Sequence, residues 1–369
     1  MTQTRRTFLS IAGAAAATSL VATPALSQVD PVRRAGARIL VGFTGTRARD
    51  PGVQQVARDL AQGRIGGVIL FARNIRSARQ LRRLLDGLRD AAGGTPPIIA
   101  IDNEGGAATR TADARGFKPW LAAQQVAARC SGKADRCIAD YYTPRAVELA
   151  KAGITLNLAP VTDLNVNARN PIIGGLGRSF SADPAIVTAA ARQFIQAHRV
   201  AGVATCLKHF PGHGSTSADS HRGLPDITQS WSEVELDPFA ALVAEGQADA
   251  VMMAHLFHAK LSDGRFQPTS LSKTAVGVLR GDIGFDGPII TDDLQMGAVR
   301  NAYDERASVT QAIAAGNDLL IFGNFSNPDP RLGGRINGAV QAALAGGAVT
   351  PAAIAASDQR IAAFRQRFG

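Results

Sequence analysis

Aromatic residues are scarce in this chain of 369 residues: two Trp, three Tyr and fifteen Phe make up 5%. A nucleic-acid-binding surface interleaves aromatic rings with clustered basic residues. Here the arginines are scattered through predicted helices and loops, and no binding module of that kind is present, so the net charge of +10 does not by itself define a polyanion partner. Charged residues are also few, at 19%, and hydrophobic residues reach 46%, which excludes a disordered polyelectrolyte and requires a large buried core. Only three cysteines occur, without the paired spacing of a metal-binding motif. Long apolar runs are missing: the one uncharged stretch, Ile11 to Leu26, is short and rich in Ala, and excludes a polytopic membrane protein. No long Pro/Ser linker divides residues 28–369.

The N-terminus reads as a targeting signal rather than as fold. Thr4-Arg5-Arg6-Thr7-Phe8-Leu9-Ser10 precedes the uncharged run, the pattern of a twin-arginine export signal, with small residues at Ala25 and Ser27 placing cleavage after Ser27. An uncleaved anchor or a chance basic start is the competing reading. Residues 1–27 are therefore expected to be a signal peptide, handled by the twin-arginine export machinery, and residues 28–369 a single domain that works in a periplasm or outside the cell without stable membrane insertion. Cys130 and Cys137 bracket a short polar stretch and could form a local disulfide in such an oxidising space; Cys206, inside an apolar run, reads as a buried small hydrophobe.

The mature region has one rhythm. Short β-rich runs occur at Arg38 to Phe43, Gly67 to Phe71, Pro97 to Asp102, Ile154 to Ala159, Val203 to His209, Ala248 to His255, Pro288 to Asp292 and Asp318 to Phe322. Between them lie stretches of helical spacing, among them Val53 to Leu60, Ala78 to Leu88, Pro144 to Ala152, Pro184 to Val200, Leu236 to Glu245 and Ser308 to Ala315. Nearly continuous apolar strands suit a sheet buried on both faces. Eight of them point to an α/β fold of the TIM type, a single-domain (β/α)8 barrel, with a doubly wound open sheet as the competitor. Active-site groups of such barrels gather at the C-terminal strand ends. Here those ends carry Asp102 with Glu104, Asp163, Lys208 with His209, His255, and Asp292 with Asp293.

The densest segment runs from Lys208 to His221 through Pro211, Gly212 and Gly214, a constrained loop able to lift polar groups over a barrel mouth. Asp219 and His221 are two residues apart. The carboxylate can hold one imidazole nitrogen and leave the other to move a proton, an acid/base dyad in form. A loop-bracing hydrogen bond, or a metal site built from His209, His213, Asp219 and His221, would use the same residues. No helical His-Glu-x-x-His pattern supports the metal.

With these residues in view the chain resembles glycoside hydrolase family 3. The resemblance rests on Gly66-Gly67-Val68-Ile69-Leu70-Phe71, Ile101-Asp102-Asn103-Glu104-Gly105-Gly106, Ala159-Pro160-Val161-Thr162-Asp163, the Lys208 to His221 loop with Leu224-Pro225, and Thr291-Asp292-Asp293-Leu294-Gln295-Met296, in that order. It is closest to the single-domain β-N-acetylglucosaminidases (β-N-acetylhexosaminidases) of bacterial cell-wall turnover. The resemblance implies a retaining glycosidase without a cofactor, releasing terminal β-linked N-acetylglucosamine from muropeptide or chitin-type oligosaccharides. Asp292 would be the nucleophile; His221, braced by Asp219, would be the acid and base. Asp102, Arg110, Arg178, Lys208 and His209 would hold the sugar. Arg110 and Arg178 could instead close ion pairs with Glu104 or Asp183, while Asp293 is expected to be structural. A β-glucosidase, a glycoside phosphorylase and a catalytically silent sugar-binding protein are the alternative functions on the same barrel. The chain departs from its relatives at Ala107, where Arg is common, at the additional Gly175-Leu176, and at Ser215, where an acidic residue is frequent.

Overall fold

The computed structural model describes residues 30–133 and 136–369. The twin-arginine signal expected at residues 1–27 lies outside the described residues. Residues Pro31–Gly369 form one compact unit. Its eight barrel strands are β1 (Ile39–Gly42), β2 (Gly67–Leu70), β3 (Ile98–Ile101), β4 (Leu156–Asn157), β5 (Ala204–Phe210), β6 (Ala250–Met253), β7 (Ile289–Asp293) and β8 (Leu319–Phe322). Each pairs in parallel with its neighbours in sequence, and β8 closes on β1 through Ile39 opposite Leu320 and Leu40 opposite Ile321. This is the (β/α)8 barrel, and the eight apolar runs of the sequence fall on its eight strands. The open sheet is excluded by the β1–β8 closure. Among the described residues no helix is long and apolar enough to cross a membrane.

Successive strand side chains point alternately into the barrel and out to the helices, so both sets must be apolar. Leu40, Ile69, Ala100, Leu156, Cys206, Met252, Ile290 and Ile321 fill the interior. Phe364 and Phe368 of the last helix, Pro351–Phe368, join that interior cluster, and Arg365 of the same helix donates to the carbonyls of Ala37 and Gly66, just ahead of β1 and β2. The N-terminal end of the barrel is thereby plugged, which leaves the opposite end for chemistry. Outward residues such as Val41, Val68 and Ile99 meet Leu81, Leu84, Leu85 and Leu88 on one face of the helix Ala78–Ala92.

Helix positions followed the apolar spacing except in one place. The stretch expected to begin at Pro144 begins at Cys137, and Pro144 sits inside the helix Cys137–Ala152. An interior proline removes a donor and crowds the preceding turn. Here the Thr143 hydroxyl donates to the Ala139 carbonyl at 2.7 Å and Arg145 Nη1 to the Tyr141 carbonyl at 2.6 Å, so side chains satisfy carbonyls of that turn. Cys130 and Cys137 are joined by a disulfide that ties this helix to Ala123–Cys130. Cys206 is free and buried.

Two pairing irregularities matter for function. The β5–β6 register shifts between Leu207 and Phe210, at Lys208 and His209, and the β7–β8 register shifts between Leu319 and Ile321, opposite the segment that ends in Asp292 and Asp293. Irregular pairing of this kind re-aims side chains next to active sites.

Candidate active site

Asp292 and Asp293 end β7 and divide two tasks between them. Asp293 Oδ1 accepts the N–H groups of Gln295 and Gly323, each at 3.0 Å, and so ties β7 to the end of β8. A Cβ on Gly323 would lie 2.3 Å from Asp293 Oδ2, which is why only glycine fits there. Burial pushes the Asp293 carboxyl up to about 6. The structural role expected for Asp293 matches these contacts. Asp292 accepts only the N–H of Asp293, at 2.8 Å, and lines the cleft at the barrel mouth. Burial raises its carboxyl, but the imidazoles of His255 and His209, that N–H and the Lys208 ammonium outweigh burial and hold it below the ordinary carboxylate range. Asp292 is thus an anion, short of hydrogen-bond partners, at the floor of a cavity of about 360 Å³.

His255, which follows β6, is fully buried and its imidazole is pushed down by desolvation. Its Nε2 lies 3.0 Å from the Asp293 carbonyl, which can only accept, so Nε2 carries the proton and Nδ1 accepts from Ser270 Oγ at 2.7 Å. It braces the end of β7 beside Asp292.

The ends of β3, β4 and β5 supply a buried charge network. Lys208 Nζ reaches Asp102 Oδ1 at 2.7 Å and Glu104 Oε1 at 2.6 Å while only 2% of its side chain is exposed. Arg178 forms a fork with Glu104 at 2.7 and 2.8 Å and spends Nη1 on the Ile172 carbonyl. Desolvation alone would raise Glu104, but Arg178 and Lys208 hold it far below its ordinary value. Arg110 stands 3.7 Å from Asp102 and over the Phe71 ring. Asp163 anchors the next segment: its Oδ1 accepts the N–H of His209 at 2.9 Å and of His213 at 2.8 Å, and its Oδ2 lies 2.6 Å from His209 Nδ1.

The loop from Lys208 to His221 then crosses the mouth. Asp219 Oδ1 accepts both the N–H of His221, at 2.9 Å, and His221 Nδ1–H, at 2.8 Å, which orients the imidazole and leaves Nε2 unused by Asp219; His221 lines the cleft with Asp292. The loop is stapled to the turn after β7 by Ala298 N–H to the Ser220 carbonyl and Gly297 N–H to the His221 carbonyl. A Cβ on Gly297 would lie 2.6 Å from that His221 oxygen, so the close approach needs glycine. Because the same turn follows Asp292, the staple fixes the dyad relative to it.

Beneath the loop lies a residue that sequence reasoning did not single out. Glu235 is 1% exposed, and its Oε2 accepts Gly214 N–H at 3.0 Å. Burial pushes the carboxyl up to about 7, against the Ser215 hydroxyl and the loop N–H groups that lower it. Glu235 stands beside Ser215 of the loop. In the sequence it reads as an ordinary acidic residue ahead of a helix, and no local signal marks it. His213, also buried, is pushed down to about 4 by desolvation, and its Nε2 lies 3.3 Å from Ser220 Oγ.

Of the expected site residues, Asp292, His221, Asp102 and Arg110 line one cleft, and Asp219 stands behind His221. Lys208 and His209 lie beneath as supports. Arg178 pairs with Glu104, the ion pair that its position in the sequence left open. His209 and His213 are committed to Asp163 and Ser220, and among the described residues no group of three His, Cys, Asp or Glu side chains is arranged to hold a metal ion.

The barrel mouth thus brings together a carboxylate with a single hydrogen-bond donor, a carboxylate-braced imidazole and a polar clamp around Asp102, the groups that a hydrolase can use. The profile of the glycosyl hydrolase family 3 N-terminal domain matches residues 43–364, and the chain belongs to that family; it is a glycosidase. It is 40% identical over 263 residues to a beta-hexosaminidase of Tolumonas auensis, covering 70% of this chain and 75% of that one. Among solved structures it is similar to a family 3 β-N-acetylglucosaminidase from Paenibacillus (TM-score 0.81, 31% identity), with 91% of this chain covered and 62% of that longer one. A β-N-acetylhexosaminidase from Beutenbergia cavernae gives a TM-score of 0.81 at 26% identity, covering 92% of this chain and 99% of that one.

Proposed function

We propose that this glycosidase is a retaining β-N-acetylglucosaminidase that removes terminal β-linked N-acetylglucosamine from cell-wall or chitin-type oligosaccharides. The observation that carries the reading is the shared cleft of Asp292 and the Asp219-braced His221. Asp292, anionic and accepting a single N–H, attacks the anomeric carbon as His221 Nε2–H protonates the leaving oxygen, giving a glycosyl ester on Asp292. The departing alcohol leaves, the now neutral His221 takes a proton from water, and the hydroxyl opens the ester. The usual scheme uses two carboxylates. An imidazole leaves no second negative charge facing the incoming nucleophile, so inorganic phosphate can compete with water and yield a sugar 1-phosphate.

Asp102 supports this reading as the sugar clamp: Lys208 fixes one oxygen, and the other faces Arg110 across 3.7 Å, a spacing that lets hydroxyls bridge them. The Cys130–Cys137 disulfide supports the export route proposed for residues 1–27, because such bonds persist in oxidising compartments. Aryl N-acetyl-β-glucosaminide and aryl β-glucoside are compared with wild type and Asp292→Asn. The first substrate is turned over by wild type only; preference for the β-glucoside, or equal turnover by the variant, contradicts the assignment. A phosphate series with product analysis separates hydrolysis from phosphorolysis, and peptidoglycan digests run beside chitobiose separate the natural substrates.

A further inference from the structure

Phe325 is 62% exposed, yet it is held firmly. Its neighbour Asn324 has a φ of +49°, in the left-handed region that a side chain other than glycine adopts at a cost. Four hydrogen bonds enforce that conformation: Asn324 Nδ2 donates to the carbonyls of Gly42 and Asp329, Oδ1 accepts Asp329 N–H, and Asn324 N–H donates to Gln295 Oε1. Arg73 then locks the ring. Its guanidinium sits 4.9 Å from the Phe71 centroid and 5.1 Å from that of Phe325, and donates to the carbonyls of Phe43, Gly323 and Asn324. A surface phenylalanine has no packing reason to be fixed in this way.

The position of the ring supplies one. Phe325 lines the catalytic cleft and also a second cleft of about 290 Å³, and the two share Asp293, Gln295, Arg300 and Ser326. The cavity that holds Asp292 therefore continues outward across Phe325 and Arg300. The Arg300 guanidinium is exposed and makes no hydrogen bond or ion pair among the described residues.

We propose that Phe325 and Arg300 form a subsite for the leaving-group sugar, with Phe325 stacking on the apolar face of a pyranose and Arg300 favouring one that carries a carboxylate. This rests on the glycosidase reading above and extends it to the leaving group. The C–H bonds on a pyranose face are weakly positive and the face of an aromatic ring is negative, so the two attract beyond the area they bury. A ring already immobilised loses little entropy on binding.

Methyl N-acetyl-β-glucosaminide, chitobiose and a disaccharide of N-acetylglucosamine linked to N-acetylmuramic acid are compared. Phe325→Ala is expected to raise KM for both disaccharides about tenfold more than for the methyl glycoside, with Phe325→Trp restoring wild-type behaviour. Arg300→Gln raises KM for the acidic disaccharide only. Equal loss on the methyl glycoside, or no loss on any substrate, overturns the subsite. Wild-type turnover of the methyl glycoside tests the glycosidase reading separately. The subsite is read without turnover by titrating Phe325→Trp with a sulfur-linked, hydrolysis-resistant disaccharide: a change in emission absent from wild type is expected, and its absence overturns the proposal.

Discussion

Replacing Glu235 with Gln isolates a single buried titration. The glutamine carbonyl can still accept Gly214 N–H, but the group no longer ionises. A carboxyl raised in the folded state to about 7, from a reference of 4.5, contributes stability that is complete below about pH 4.5 and is lost as the pH rises through 7. That gap corresponds to roughly 3 kcal/mol when the loss is complete. Wild type and Glu235→Gln are unfolded with urea at pH 4.5 and pH 8. The difference between them is expected to move in favour of the variant by up to about 3 kcal/mol on going to pH 8. His213 and His198, both pushed down to about 4, and Asp293, pushed up to about 6, also titrate across this range, but they are present in both proteins and cancel in the difference. A difference that is the same at both pH values refutes the ionisation of Glu235 beneath the loop.

Removing the proton donor has a chemical signature: His221→Ala slows glycosylation about a hundredfold or more for alkyl or sugar leaving groups and far less for activated aryl ones. Equal slowing for both in pre-steady-state assays contradicts the acid role. Glu104→Gln leaves Arg178 and Lys208 buried without their shared counter-charge and is expected to cost about 3–5 kcal/mol of stability by urea unfolding, whereas a loss below about 1 kcal/mol contradicts the network. Cys130→Ser, which opens the short loop to Cys137, costs roughly 2 kcal/mol, and dithiothreitol lowers wild type alone to the same level. Wild type that is unaffected by the reductant argues against the bond.

The barrel was legible because its strands are buried on both sides. Ile98–Ile101 and Leu319–Phe322 read as unbroken apolar runs, the first followed at the mouth by Asp102 and the second by Gly323 and Asn324. The dyad was legible because Asp219 and His221 are close in sequence, so their contact needs no tertiary information. Contacts made across the barrel were hidden. The sequence offered Arg178 an ion pair with Glu104 or Asp183 but could not choose between them or a sugar contact, and nothing near Glu104 announces that Lys208 divides itself between Asp102 and Glu104. Glu235 was hidden for a related reason: its role comes from being buried under Gly214, and burial of one glutamate is set by the packing of a loop rather than by its neighbours in sequence. The interior Pro144 misplaced a helix start because proline ordinarily marks a first turn, while here the helix runs through it from Cys137, with Thr143 and Arg145 donating to the neighbouring carbonyls of Ala139 and Tyr141.

The central claim is that Asp292 bonds covalently to the sugar. A 5-fluoro N-acetyl-β-glucosaminide with a good leaving group slows both steps but breakdown more than formation, so the glycosyl-enzyme accumulates. Peptide mapping by mass spectrometry is expected to find one added fluoro-sugar on the peptide bearing Asp292, and none in Asp292→Asn. A label on another carboxylate, or rapid inactivation-free turnover with inverted product configuration, contradicts the account.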